Sequence, residues 1–150
     1  MRFVAIILLI FHFFSCGNAD KEINENGYAV SDTLLAWDTN ADSMIMKRDI
    51  TVPDSAITVK RIINGLNEKY PEVHIDVIKQ SGDTIYIAVP DGEYLGNQMG
   101  SAGSSAWFAD AVINLTSAPG INYVYFNMDM YSHASGGVIS EQEYKGWKRQ

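Results

Sequence analysis

Four residues in the second half of the chain could do chemistry together. Asp91, Glu93, Asp129 and His133 offer three carboxylates and an imidazole, the donor types that hold a divalent cation or run acid–base hydrolysis. Their spacing matches no established ligand pattern, so no metal or other cofactor is expected. For nucleophilic catalysis the chain has many serines, but beyond its first fifteen residues its histidines are only His74 and His133. No G-x-S-x-G elbow occurs. The run "GSAGSS" ahead of an apolar segment could cradle an anion on free backbone N–H groups. It lacks the lysine of a phosphate-binding loop, and no Lys or Arg lies within twenty residues of it on either side. Its expected role is a flexible helix cap.

The remaining reactive group is Cys16, the one cysteine of the chain. It follows Arg2 and the apolar run from Val4 to Phe14, which read as the n- and h-regions of an export signal. As a helix that run spans about 16 Å, half of a roughly 30 Å hydrocarbon core, so it suits secretion better than membrane crossing. A lone thiol in an exported protein calls for an explanation. "FFSC" resembles the lipobox of bacterial lipoproteins, with Phe13 where that family prefers Leu. The resemblance implies cleavage after Ser15 and acylation of Cys16, whose fatty chains tie the protein to a membrane. An ordinary signal peptide that happens to contain a cysteine is the alternative. Residues 1–15 are thus the expected leader, and 16–27, "CGNADKEINENG", a flexible, polar and acidic tether. The expected location is the bacterial cell envelope, on the periplasmic face or the cell surface.

Without the leader the chain keeps 10 Lys and Arg against 18 Asp and Glu, a charge of −8. No Lys or Arg occurs between Lys79 and Lys145, while seven acids do. That half would repel a polyanion, which excludes nucleic acid as a partner. About 135 residues suit one domain with a single core, here 28–150. With no thiol beyond Cys16, disulfides are excluded.

The elements that must position any site follow from periodicity. "YAVSDTLLAW" is apolar enough for a strand or a segment lying on the core, and "SMIMKRDITV" reads as a strand or extended segment ending at Pro53. "DSAITVKRIINGLNEKY" is the clearest helix, with Val59, Ile62, Ile63, Leu66 and Tyr70 at helical spacing and Asp54 or Ser55 as N-cap. "VHIDVIKQSGDTIYIAV" is a hairpin about "SGD", with Val73, Ile75 and Val77 on one side and Ile85, Ile87 and Val89 likewise. After a glycine-rich loop, a second helix is predicted from Ser104 or Ser105, burying Trp107, Phe108, Ala111, Val112 and Leu115. The strand "INYVYFNMDM" follows, with Val124, Phe126, Met128 and Met130 inward. The order β-α-β-β-α-β with right-handed crossovers puts both helices on one face of a mixed sheet, an α+β two-layer sandwich.

From "TIYIAV" to "YFNMD" the pattern resembles the GerMN domain, a sporulation and germination module also found in envelope lipoproteins. The matching pieces are Tyr94–Leu95, "GSAGS", "NLT" at Asn114 to Thr116, and Pro119, Gly120 and Ile121, with Arg48 and the first helix upstream about where that family has its arginine and its helix. The resemblance covers roughly residues 44–130. It departs at "DM", where the family commonly has "DG", and the tail from Tyr131 has no counterpart. It implies a non-enzymatic binding or assembly role.

"NLT" is also an N-glycosylation sequon, but on a helix in a chain with a bacterial lipobox it is not expected to carry a glycan. The sheet face that the helices leave open collects His74, Asp76, Ile78, Tyr86, Tyr123, Tyr125, Asn127 and Asp129. Tyrosines, amides and carboxylates are recognition types, and exposed rings also stack on sugars. Tyr86, Tyr123, Tyr125, Asn127 and Asp129 are therefore the candidate contact surface, for an envelope protein or for peptidoglycan or another glycan. The competing expectation is that tyrosine simply favours strands. The tail with Tyr144 and Trp147, or the segment near Trp37, would then fold over that face. The alternative function is a small hydrolase or metal-dependent enzyme on Asp91, Glu93, Asp129 and His133.

Overall fold

The computed structural model describes residues 31–150. The leader, Cys16 and the tether lie outside the described residues, as do Tyr28 to Val30. Ser31–Gln150 form one compact unit, and none of its helices is long and apolar enough to cross a membrane.

Two short strands, β1 (Trp37–Asn40) and β2 (Ile45–Arg48), make an antiparallel hairpin. A single 3-10 turn at Asp54–Ala56 precedes helix α1 (Val59–Lys69). Strands β3 (Asp76–Ser81) and β4 (Thr84–Ala88) pair across Gly82, whose φ of +60° is the left-handed turn conformation that glycine adopts without strain. A π-helical turn (Tyr94–Gln98) leads into helix α2 (Gly100–Thr116). Strands β5 (Tyr123–Asn127), β6 (Gly137–Ser140) and β7 (Lys148–Arg149) complete the chain.

The fold is α+β, as the periodicity predicts. Its main sheet has the order β3-β4-β5-β6, with β4 and β5 parallel and the outer pairs antiparallel. Ile85, Ile87, Val124 and Phe126 point from this sheet into one core with Ile62, Leu66, Trp107, Val112 and Leu115 of the two helices. The expected chain order appears as β2, α1, β3, β4, α2, β5, but β2 does not join the main sheet. It pairs with β1 and, in parallel, with β7 in a separate three-stranded sheet. The reason lies in α2, where Ala109 to Leu115 are all buried, on every side of the helix. A helix buried on every side must find a packing partner on every side. Trp107, Val112 and Leu115 meet the main sheet, while Ala109 and Ile113 pack on Met46 of the small sheet with Trp37, Tyr144 and Trp147.

Other departures are local. The N-cap of α1 is Thr58, which accepts a hydrogen bond from the Arg61 N–H at 3.4 Å, because Ile57 is drawn extended into the core. The glycine-rich stretch is helical instead of a loop, and α2 starts at Gly100, four residues early. Its small residues serve close packing: a Cβ on Gly96 would lie 2.2 Å from Cβ of Tyr131. Val77 and Met130, placed inward by alternation, are 43% and 84% exposed. Val77 sits on an edge strand beside a bulge at Ile78, and Met130 lies beyond the end of β5. The segment from Ser31 to Ala36 lies on the core along α1, where the Leu34 N–H donates to the Arg61 carbonyl and Gly65 admits the Leu34 backbone.

Candidate functional site

The open side of the main sheet is built by register. Lys79 lies opposite Tyr86, Tyr86 opposite Tyr125, and Tyr125 opposite Val138, so one row crosses all four strands. The bulge between Val77 and Lys79 makes this possible, because it puts Asp76 and Lys79 on the same side of β3. The Tyr86 and Tyr125 rings lie 5.2 Å apart, and the Lys79 ammonium sits 4.7 Å above Tyr86. Each ring of the pair therefore shelters the other, and both are half-buried. Parallel rows carry Thr84, Tyr123 and Ser140 on one side and Asp76, Ala88 and Asn127 on the other. Tyr123 and Val138 are 43% and 59% exposed.

No described segment folds over this face. The tail supplies β6 at the sheet edge and then turns to the far side of α2. There Tyr144 and Trp147 meet edge to face at 5.2 Å beside Met46 and Ile113. Burial, with Glu143 adding to it, pushes the Tyr144 hydroxyl up to about 12. The Arg48 and Arg149 guanidiniums lie over the Trp37 ring, at 5.9 and 5.4 Å. Of the nominated surface residues, Tyr86, Tyr123, Tyr125 and Asn127 do share the face. Asp129 does not, because β5 ends at Asn127 and Asp129 is an exposed residue of the following loop. Val138 was not anticipated, since nothing in "SGGVIS" marked the tail as a strand of this sheet.

The acidic and imidazole residues do not assemble. Asp91, Glu93, Asp129 and His133 are each exposed, and among the described residues no three His, Cys, Asp or Glu side chains are grouped to hold a metal ion. Asp91 accepts the His74 backbone N–H at 3.3 Å, and the His133 backbone N–H donates to Gly96 at 2.9 Å. The His74 ring lies 3.4 Å from Asp76, at the edge of the sheet. The "GSAGSS" segment is helix, and the Ser104 hydroxyl is directed at the carbonyls of Leu95 and Gly100, at 2.6 and 2.9 Å.

A polar cluster the sequence reading missed sits under the helices. Asp110 on α2 is 1% exposed. Its carboxylate accepts from the Thr39 hydroxyl at 2.6 Å, the Tyr70 hydroxyl at 2.5 Å and the Lys69 ammonium at 2.7 Å. Burial first, and then the bond to Asp110, hold the Tyr70 proton far above the usual phenol range. At neutral pH this tyrosine is a donor, not a base. One turn on, Asn114 bonds both the N–H and the C=O of Trp37, at 2.9 and 3.0 Å, so its side-chain amide serves β1 as a strand neighbour would. Arg48 is spent similarly, on the carbonyls of Ala36, Asp49 and Val52 and on Asp54. The legible signal was an Asp and an Asn at i and i+4 inside the apolar run "FADAVINL", a spacing that puts both on one side of a helix.

At the end of the sheet nearest the C-terminus of α2, Tyr123 rims a groove of about 210 Å³. Thr116, Ile121, Asn122, Ser140, Glu141 and Gln142 form the rest of its wall. Asn122 donates its side-chain amide to Asp83 at 3.0 Å, and Glu141 is ion-paired with Arg149.

No family model, curated protein or solved structure matches the chain.

Proposed function

We propose that the chain is a lipid-anchored bacterial envelope lipoprotein whose α+β domain is a non-catalytic binding or assembly module. The anchor is Cys16, and the contact surface is the open sheet face around Tyr123 and Tyr125. The observation that carries the second half is the uncovered face. Four strands bring Lys79, Tyr86, Tyr125 and Val138 into one row with Tyr123 beside it, and Tyr123 and Val138 are 43% and 59% exposed. Tyrosine is a residue type enriched at protein interfaces. It also suits glycans. The enzyme reading on Asp91, Glu93, Asp129 and His133 has no convergent geometry to support it.

The test has two arms. Mass spectrometry of the mature N-terminus is expected to find a diacylglyceryl-modified Cys16. A bare thiol on protein released into the medium would reject the anchor. The double substitution Tyr123→Ala with Tyr125→Ala is expected to abolish retention of envelope partners in pull-downs while the far-ultraviolet circular dichroism stays native. Unchanged retention would reject the surface.

A further inference from the structure

We infer that the outer edge of β6 takes up an extended, basic peptide as a fifth strand of the main sheet. This rests on the reading of the domain as a binding module and names the chemistry of a partner that engages it beside the open face. Which groups of β6 are free follows from how β5 is bonded. The Tyr123 N–H donates to the Asp83 carbonyl, and the Asn127 carbonyl accepts from the Val89 N–H. Residues 123, 125 and 127 thus turn their backbone groups to β4, with which β5 runs parallel. Val124 and Phe126 turn theirs to β6, opposite Ile139 and Gly137. The N–H and C=O of Val138 therefore point away from the sheet, and no described backbone group outside the sheet bonds either of them.

The other described sheet edges are closed or guarded. At β1 the Asn114 side chain bonds both the N–H and the C=O of Trp37. β3 carries Asp76, Lys79 and a bulge between Val77 and Lys79, and β7 carries Lys148 and Arg149. Charges and bulges are the devices that keep an edge from pairing with another chain. β6, "GVIS", has none of them: no charge, no proline, and an unbroken register with β5. An edge left bare with its hydrogen-bonding groups turned outward is a template for a further strand.

The side chains of an added strand alternate between the two faces of the sheet. On the open face they lie beside Val138 and lengthen the row that starts at Lys79. On the helix face they lie beside Ile139, where Phe108, Met130, Tyr131 and Ala134 help to line a groove of about 580 Å³. That volume falls within the roughly 300–1,000 Å³ of ligand pockets, and Met130 is 84% exposed, so an aliphatic side chain finds an apolar wall there. Charge sets the rest of the peptide. Residues 80–144 contain no Lys or Arg, and Asp129, next to Met130, and Glu143, just after β6, are both exposed. Lys or Arg flanking the apolar residues of the peptide meets these carboxylates. A second copy of β6 would bring the same acid-only stretch against itself, so the fitting occupant is a different, basic chain.

The full mature chain in detergent micelles, isotopically labelled, is titrated with a short blocked peptide that alternates Val and Thr between terminal lysines, and with its counterpart between terminal glutamates. The lysine peptide is expected to shift the Val138 and Ser140 amides saturably and to slow hydrogen exchange of the Val138 N–H by about tenfold or more. The glutamate peptide should bind about tenfold more weakly. Methylating the peptide's backbone nitrogens, which leaves the protein untouched, should abolish binding. Val138→Pro removes the outward N–H and no bond to β5, and Met130→Ser removes apolar wall. Each should weaken the lysine peptide by about tenfold, the loss of one hydrogen bond or one apolar contact. Ile50→Ser, on the small-sheet side, should not. A shift without protection of Val138, an equal response to the glutamate peptide, or binding that survives methylation overturns the inference. Protection of Val138 that grows with protein concentration in the absence of peptide overturns it too and assigns the edge to a second copy. Partner retention lost in the double tyrosine variant with no protection of Val138 rejects the edge alone. Protection of Val138 with retention indifferent to the tyrosines keeps the edge and rejects the face.

Discussion

The two sides of this molecule treat their polar groups differently. Between the helices and the small sheet, Asp110 has three donors and Asn114 three partners, all within 3.0 Å. On the open side of the main sheet, the side chains of Tyr123 and Ser140 make no hydrogen bond to a described residue. A buried polar group left unpaired costs free energy, so evolution closes such networks or removes them. An exposed one costs nothing and stays ready for a ligand. The difference teaches where to look for structure and where to look for function. The closed network is tempting as a catalytic site because it combines Lys, Asp and Tyr, yet every one of those groups is already committed to another.

The largest expected effect breaks the closed side. Asp110→Ala removes the acceptor shared by Thr39, Lys69 and Tyr70 and leaves three donors facing a gap. Breaking a buried ion pair costs about 3–5 kcal/mol. Because Lys69 is 36% exposed and can recover water, a loss near the lower end, about 3 kcal/mol, is expected from urea denaturation. A double variant with Lys69→Met should lose less than the sum of the two single changes. A loss below about 1 kcal/mol would mean that the network holds nothing together and would erase the contrast between the two sides.

How much of this was legible in the sequence follows the same division. Helical and strand periodicity mark α1, the hairpin and β5, and the alternation in "TIYIAV" and "INYVYF" puts Tyr86 and Tyr125 together on the open side. Alternation failed at Val77 because a bulge breaks the period of two, and at Met130 because nothing local marks where pairing stops. The early start of α2 was hidden because glycine and serine read as punctuation. Here they allow close approach, with Gly96 against Tyr131 and Ser104 against the Leu95 carbonyl. The small sheet was the deepest omission. Its signal was that Ala109 and Ile113 of α2 lie off the apolar stripe of Trp107, Val112 and Leu115 and need a cover of their own, but that one stripe is enough to account for a two-layer fold. Asp110 could not be joined to Thr39 and Tyr70 by spacing, since they lie 71 and 40 residues away.

A smaller effect sharpens the contrast through pH. An unfolded tyrosine releases its proton near 10, while Tyr70 in the folded chain keeps it well above that. Above pH 10 the unfolded state therefore binds fewer protons than the folded state, and stability falls as pH rises. The contribution is fully present below pH 10. Tyr144, pushed up to about 12, adds a similar loss between 10 and 12. Tyr70→Phe is expected to cost about 1 kcal/mol at pH 7. Between pH 10 and 12 it should lose stability less steeply than the parent, by up to about 1.4 kcal/mol per pH unit. Subtracting the two denaturation series isolates the contribution of the Tyr70 hydroxyl. Parallel curves would show that Tyr70 is not held by Asp110.

The smallest effect belongs to the open side and tests whether its row is a structural stack or a surface awaiting a partner. Lys79 covers Tyr86 at 4.7 Å on an edge strand where every residue is exposed, and a solvated cation–ring contact contributes only about 0.5–1 kcal/mol. Lys79→Ala should therefore lower stability by no more than about 0.5–1 kcal/mol, as read by urea denaturation, while baring one side of the Tyr86 ring. If the row exists to hold four strands together, that change ought to propagate through the Tyr86 and Tyr125 pair to Val138 and cost more than 1.5 kcal/mol. A loss within the lower range, with partner retention altered, places the row on the functional side of the comparison. The lysine would then act there as a gate over an aromatic contact, and the strands would draw their stability from Ile85, Ile87, Val124 and Phe126 on the buried side.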